Sequence, residues 1–292
     1  MYIGIKWNVL LLIMKLGNMN QTETRLSQLI CNGIRYHYTE KGQGNLTFLF
    51  IHNTGGDHRL FMPQLNYFSQ FGQVLVPDLR GHGKSEKPNK KYSIETYSDD
   101  LICLCKELSL QSVIAIGSST GGNIALNLAC THPELIKASI MIDCAMFLNT
   151  KARKKIQEYQ ENMRQKNTFP IIQEILEDSC LATDQCKELM REAYLLVPAY
   201  VWEKSFASLL KWDRKNQQRL QTCKAPLLYI QACSPYSDCS QLANLKKFYK
   251  YFPSLMTGKI VGSGHYPSLE VADQINAMII QFLRIKKMVV TA

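Results

Sequence analysis

The chain has 292 residues, 46% of them hydrophobic and 20% charged, with 34 basic against 24 acidic side chains and a net charge of +10. That length supports one large domain with its own core, and the composition excludes a disordered chain. The lysines fall in short clusters such as Arg153-Lys154-Lys155 and Lys246-Lys247, with no nucleic-acid motif around them, so the basic excess reads as a solvated surface and nucleic acid is not an expected partner.

The elements follow in chain order. Residues 1–20 read as an N-terminal extension. Lys6 and the apolar run Trp7 to Met14 look faintly like a signal peptide, but Lys15 interrupts the run, no small-x-small cleavage site follows, and it is too short to span a bilayer. A cytoplasmic location is expected, with export as the alternative if this segment is a signal and Met14 or Met19 as alternative starts. Stable membrane insertion is not expected.

Ser27 to Ile30 and Ile34 to Tyr38 are β-prone runs around Asn32-Gly33, a two-residue hairpin signal. Short apolar runs come next at Phe48 to Ile51, Val74 to Val76, Val113 to Ile116, Ser139 to Ile142, Leu227 to Ile230 and Lys259 to Val261. Unbroken runs of this length suit strands buried on both faces of a parallel sheet. Helical stretches such as Ile94 to Leu108 and Asn123 to Thr131 lie between them, and this alternation argues an open α/β sheet.

The rhythm breaks between about Phe147 and Cys223. Four helices are expected there, at Lys151 to Lys166, Pro170 to Leu181, Asp184 to Leu196 and Pro198 to Trp212. The expected organisation is therefore a core of residues 21–146 and 223–292 with a helical lid at 147–222. Tyr194, Leu195, Leu196, Tyr200 and Trp202 are the lid's apolar side chains, serving as its own core or as a partly apolar pocket wall.

The ten cysteines form no Cys-x-x-Cys pair and no Cys/His spacing suited to zinc. Several lie in apolar runs such as Leu101-Ile102-Cys103-Leu104-Cys105, where a thiol acts as a small buried hydrophobe. No metal and no cofactor are expected, and a reducing compartment is the simpler account.

Gly117-Ser118-Ser119-Thr120-Gly121-Gly122 follows the strand Val113 to Ile116 and precedes a helix beginning near Asn123. A Gly-x-Ser-x-Gly in strand–turn–helix context is a nucleophile elbow. The glycines relieve clashes around a strained serine, and the helix N-terminus favours developing negative charge. Ser119 is the expected nucleophile; Ser118 lacks the flanking spacing. His265, in Gly262-Ser263-Gly264-His265 after the last strand, is the expected general base. The strand Phe48 to Ile51 ends in His52-Asn53-Thr54-Gly55-Gly56, a turn suited to presenting amides to an oxyanion, with the N–H groups of Thr54 and Thr120 as expected donors.

These pieces, in this order, resemble the α/β-hydrolase superfamily from about residue 27 to 284. Asp78-Leu79-Arg80-Gly81-His82-Gly83-Lys84-Ser85 is similar to that family's Asp-x-Arg-Gly-His-Gly-x-Ser loop, read here as structural. The resemblance implies a mostly parallel eight-stranded sheet with helices on both faces and a helical lid, and within the family it leans toward the enol-lactonase and small-esterase branch.

Two departures stand out. The family usually has His-Gly where this chain has His52-Asn53, and its triad acid commonly falls just after the strand Leu227 to Ile230, where Ser234 stands. Two carboxylates are substitutes. Asp143 ends the strand Ser139 to Ile142, and is otherwise a loop-ordering carboxylate. Asp238 lies farther on, and also reads as a helix cap in Asp238-Cys239-Ser240-Gln241. Asp143 is the favoured acid, Asp238 the alternative, and absence of an acid the third case. The expected function is hydrolysis of a small ester or lactone through an acyl-enzyme on Ser119. The alternatives are carbon–carbon bond hydrolysis with the same triad, a secreted lipase, or a catalytically weak ligand-binding homologue. The expected partner is a small-molecule substrate.

Overall fold

Runs such as Phe48-Leu49-Phe50-Ile51 and Val113-Ile114-Ala115-Ile116 carry no polar side chain to place on a wet face, so both faces of the strands they form must be covered. In the computed structural model, which describes residues 23–166, 168–179, 184–232 and 241–289, both runs lie in strands buried throughout. Burying each of Val113, Ile114 and Ile116, which are fully inaccessible, stabilises the fold by roughly 1.5–3 kcal/mol.

The strands are β1 (Arg25–Cys31), β2 (Ile34–Lys41), β3 (Thr47–Ile51), β4 (Gln73–Pro77), β5 (Val113–Ser118), β6 (Ile136–Ile142), β7 (Leu227–Gln231) and β8 (Met256–Lys259). They form one eight-stranded sheet in the order β1-β2-β4-β3-β5-β6-β7-β8. The β1/β2 hairpin and the β2/β4 pair are antiparallel; every other pair is parallel. The helices that pack on the sheet include α1 (Met62–Phe68), α2 (Ile94–Glu107) and α3 (Thr120–Thr131). Four helices fill the chain between β6 and β7: α4 (Thr150–Arg164), α5 (Thr168–Ser179), α6 (Asp184–Leu195) and α7 (Ala199–Leu220). After β7 come α8 (Gln241–Tyr251), the short α9 (Pro267–Glu270) and α10 (Ala272–Ile285), the last packing on β7.

Three boundaries differ from expectation. The last strand is Met256–Lys259 rather than Lys259 to Val261. Register with β7 ends at Gln231 opposite Lys259, and Gly262 at φ +74° turns the chain away, leaving Val261 70% exposed. As an edge strand, β8 needs no apolar run on both faces, so the run pointed past it. Helix α3 begins at Thr120, directly after the elbow serine, rather than near Asn123. Helix α7 continues from Ala199 to Leu220, past Trp212.

The charged loop after β4 organises the sheet edge, as its sequence implied. Asp78, fully buried, accepts hydrogen bonds from the backbone N–H groups of His58 and Lys84, each at 2.8 Å. Arg80 pairs with buried Asp100, which also accepts from the Tyr36 phenol and, at 3.1 Å, from Asn32 in the β1/β2 turn. Burial, and then the neighbouring Asp100 charge, push the Tyr36 phenol far up, so it stays a donor. Residues 1–20, Ser234 and Asp238 lie outside the described residues.

Candidate active site

Strand β5 and helix α3 meet at Ser119 with no room to spare. A Cβ at Gly117 would lie 2.0 Å from the Gly121 carbonyl oxygen, and one at Gly121 would lie 2.1 Å from that of Ile51. Both positions therefore require glycine. Ser119 itself holds φ 52° and ψ −121°, a strained backbone for an L-residue that lifts the side chain out of the turn. Its N–H donates to the Ile142 carbonyl at 2.8 Å, and its own carbonyl accepts from Gly122 at 2.9 Å as the helix begins. The partial positive charge at the N-terminus of α3 falls at this point.

One strand over, β6 ends at Ile142 and Asp143 follows at φ +44°. Its N–H still pairs with the Ile230 carbonyl of β7 at 2.8 Å, which fixes the carboxylate at the strand end. Oδ2 of Asp143 lies 2.7 Å from Nδ1 of His265, and Oδ1 accepts from the Ala232 N–H at 3.2 Å. The side chains of His265 and Asp143 are 17% and 4% exposed. The histidine loop is braced by Ser263, which is fully buried and whose hydroxyl donates to Glu270 Oε2 at 2.5 Å. Of the two candidate acids, Asp143 is the one brought to His265; Asp238 lies outside the described residues.

The turn after β3 is tied down by His52. Its Nε2 accepts from the Leu79 N–H at 2.9 Å, so Nδ1 carries the proton and donates to the Asn53 carbonyl at 2.8 Å. Complete burial holds this imidazole's pKa down, which keeps it neutral. Thr54 donates through its hydroxyl to that of Thr120 at 3.1 Å, joining the two residues expected to supply oxyanion donors.

Ser119, Asp143, His265, Thr54 and Thr120 all line one cavity of about 200 Å³. Much of the rest of its wall is apolar and comes from the helices between β6 and β7, through side chains such as Ile156, Ile175, Trp202 and Leu209. Lys155 also reaches it, with its ammonium paired to Glu174. Tyr194 and Trp202 line the cavity as their sequence context allowed, but Leu195 and Leu196 are 51% and 57% exposed. They sit at the end of α6 and in the turn beyond, facing outward. Tyr200 turns instead to the Lys87 carbonyl, its hydroxyl donating at 2.5 Å. Asn53, Cys144 and Tyr229 are cavity residues that sequence reasoning did not single out as lining. Asn53 carried a signal, as the departure from the family's glycine; Cys144 and Tyr229 carried none beyond adjacency to Asp143 and membership of a strand.

A family model described as alpha/beta hydrolase fold matches residues 47–179. The solved enol-lactonase from Burkholderia xenovorans LB400 superimposes with a TM-score of 0.78 at 20% identity, covering 88% of this chain and all of that one. The chain has the α/β-hydrolase fold. Among curated proteins, an uncharacterized hydrolase of Bacillus subtilis is 28% identical over 185 residues, 62% of this chain and 67% of that one. A putative esterase/lipase of Haemophilus influenzae is 24% identical over 266 residues, 85% of this hydrolase and 87% of the relative. Among the described residues, no helix of the hydrolase is long and apolar enough to cross a membrane.

Proposed function

We propose that this hydrolase cleaves a small, largely apolar carboxylic ester or lactone through an acyl-enzyme on Ser119. The observation that carries the reading is a single cavity wall holding the strained elbow serine, the Asp143–His265 pair and the Thr54–Thr120 turn together. His265 takes the Ser119 proton as Oγ attacks the carbonyl carbon, and Asp143 holds the imidazole through Nδ1 and steadies the imidazolium. The oxyanion rests on the N–H groups of Thr54 and Thr120, aided by the end of α3. As the carbon–oxygen bond breaks, the leaving alkoxide takes the proton from His265. Water, deprotonated by the same ring, then attacks the acyl carbon, and the carboxylic acid leaves with Ser119 restored.

The apolar cavity wall supports an uncharged acyl group, and the enol-lactonase and esterase/lipase likenesses are consistent with an ester or lactone. The helices between β6 and β7 act as the lid in this reading, since they supply much of that wall. A ligand-binding homologue without turnover would follow from a histidine lacking a carboxylate; Asp143, 2.7 Å from His265, supports the catalytic reading over it.

Intact-mass labelling with a fluorophosphonate tests the reading without knowledge of the substrate. The expected result is one adduct on the wild type and none on Ser119→Ala, with the melting temperature nearly unchanged. An unlabelled wild type, or an equally labelled alanine variant, would sink it.

A further inference from the structure

The glycine that the family places after the turn histidine is replaced here by Asn53, 3% exposed, and its side chain is not idle. Nδ2 donates to the Thr54 carbonyl at 2.9 Å and to the Tyr194 hydroxyl at 2.9 Å. A carbonyl accepts only, so the amide orientation is settled by its bond to Thr54. Tyr194 belongs to α6, from the segment between β6 and β7, and is 1% exposed. Its hydroxyl is also hydrogen-bonded to that of Tyr266, fully buried and next in the chain to His265. One phenol therefore touches the turn that carries Thr54 and the loop that carries the histidine.

The ring is as closely fitted as the hydroxyl. A Cβ at Gly55 would lie 2.2 Å from the Trp202 ring and 2.7 Å from that of Tyr194, so the turn is seated directly under both aromatics. Tyr194 and Trp202 meet edge to face at 5.0 Å, and the His265 and Tyr266 rings stand 5.5 Å apart. The contact unites three parts of the chain, each far from the others in sequence.

We propose that Tyr194 is a positioning residue whose phenol fastens the Asn53–Thr54 turn and the His265 loop to α6 as one hydrogen-bonded unit. This rests on the reading of Ser119 and His265 given above. Catalytic donors and bases act through placement, and displacement by about 1 Å costs up to about a hundred-fold in rate. Removing the hydroxyl also leaves one Asn53 N–H buried without its acceptor, which favours movement of the turn. The ring packing on Trp202 survives in a phenylalanine, so the effect falls on the alignment rather than on the fold.

The test is Tyr194→Phe in the full-length chain, read by fluorophosphonate labelling rate and by turnover of p-nitrophenyl esters. The expected result is a fall of about ten-fold in both kcat and labelling rate, with KM within about two-fold of wild type. Asn53→Gly is expected to cause a similar fall, and the double variant to be no worse than the worse single, because both cut the same connection. Should Tyr194→Phe fail to fold, Tyr266→Phe cuts the chain from the other side and is expected to give the same kcat loss. Wild-type kcat and labelling in the phenylalanine variants would overturn the proposal. A rise in KM alone, or losses that multiply in the double variant, would do the same by pointing to packing. An unlabelled wild type is a separate outcome, overturning the assignment of Ser119 and this inference with it.

Discussion

Two histidine–aspartate pairs stand among the described residues. His58 Nδ1 lies 2.8 Å from Asp78, and His265 Nδ1 lies 2.7 Å from Asp143. The first pair is saturated by its surroundings: Asp78 also takes the N–H groups of His58 and Lys84, and a Cβ at Gly83 would strike its carboxylate at 2.3 Å. The second shares a cavity wall with a strained serine. In the proposed reading, nearly equal distances thus serve different ends, and the difference lies in what the far side of each ring faces. Carboxylate–imidazole contact is a means of orienting a ring; chemistry requires a reacting group beyond it.

Aspartate-to-asparagine changes separate the two pairs most sharply. Asp143→Asn is expected to lower kcat by on the order of 10³ to 10⁴-fold, because the amide favours the wrong imidazole tautomer, while the melting temperature moves little. Asp78→Asn is expected to do the reverse, costing about 3 kcal/mol of stability by unpairing a buried site while folded molecules keep most of their kcat. Urea unfolding and active-site-titrated kinetics on both variants decide it; matching profiles would erase the distinction.

A smaller effect comes from His82, whose ring is tilted against that of His52 with centroids 5.1 Å apart. Burial, reinforced by the neighbouring His52, pushes its pKa down to about 3. The unfolded chain binds a proton near pH 6.5 that the folded chain refuses, so stability is present above that pH and is lost as pH falls. His82→Asn is expected to lose about 2 kcal/mol less than wild type between pH 7 and pH 5 in urea unfolding. Equal losses would mean that His82 takes up a proton while folded.

His58 responds in the opposite direction and more weakly. Burial opposes its charge, but the hydrogen bond and charge of Asp78 prevail and its pKa is raised. Its contribution is therefore full below about pH 6.5 and fades as pH rises through the raised value. The melting-temperature gap between wild type and His58→Gln should correspond to roughly 1–2 kcal/mol at pH 5.5 and narrow by pH 9. A gap independent of pH would show that the pair works as a neutral hydrogen bond.

Much of the fold was legible because buried parallel strands leave unbroken apolar runs. The last strand was misjudged because an edge strand does not. Ser119 and His265 announced themselves through glycine spacing, which reflects steric need within a few residues of chain. Asp143 could only be named as one of two candidate carboxylates, beside the case of no acid at all: its partner lies 122 residues away, and nothing local encodes a long-range approach. Tyr194 was legible as an apolar lid residue and nothing more, since a phenol's partners depend on how α6 docks.

The segment holding Tyr194 departs from β6 and returns at β7, strands that are hydrogen-bonded neighbours. These strands run parallel, so the segment leaves at one end of the pair and re-enters at the other, both points fixed by the register Ser139↔Leu227 to Ile142↔Ile230, and loop-closure entropy rises only slowly with the length of what is inserted. Such a segment is an exchangeable cassette: another set of helices could be spliced at the same junction to recut the cavity without shifting strand register. The graft would have to supply a hydroxyl where Tyr194 stands, because Asn53 and Tyr266 remain behind in the recipient and would otherwise face each other across a gap.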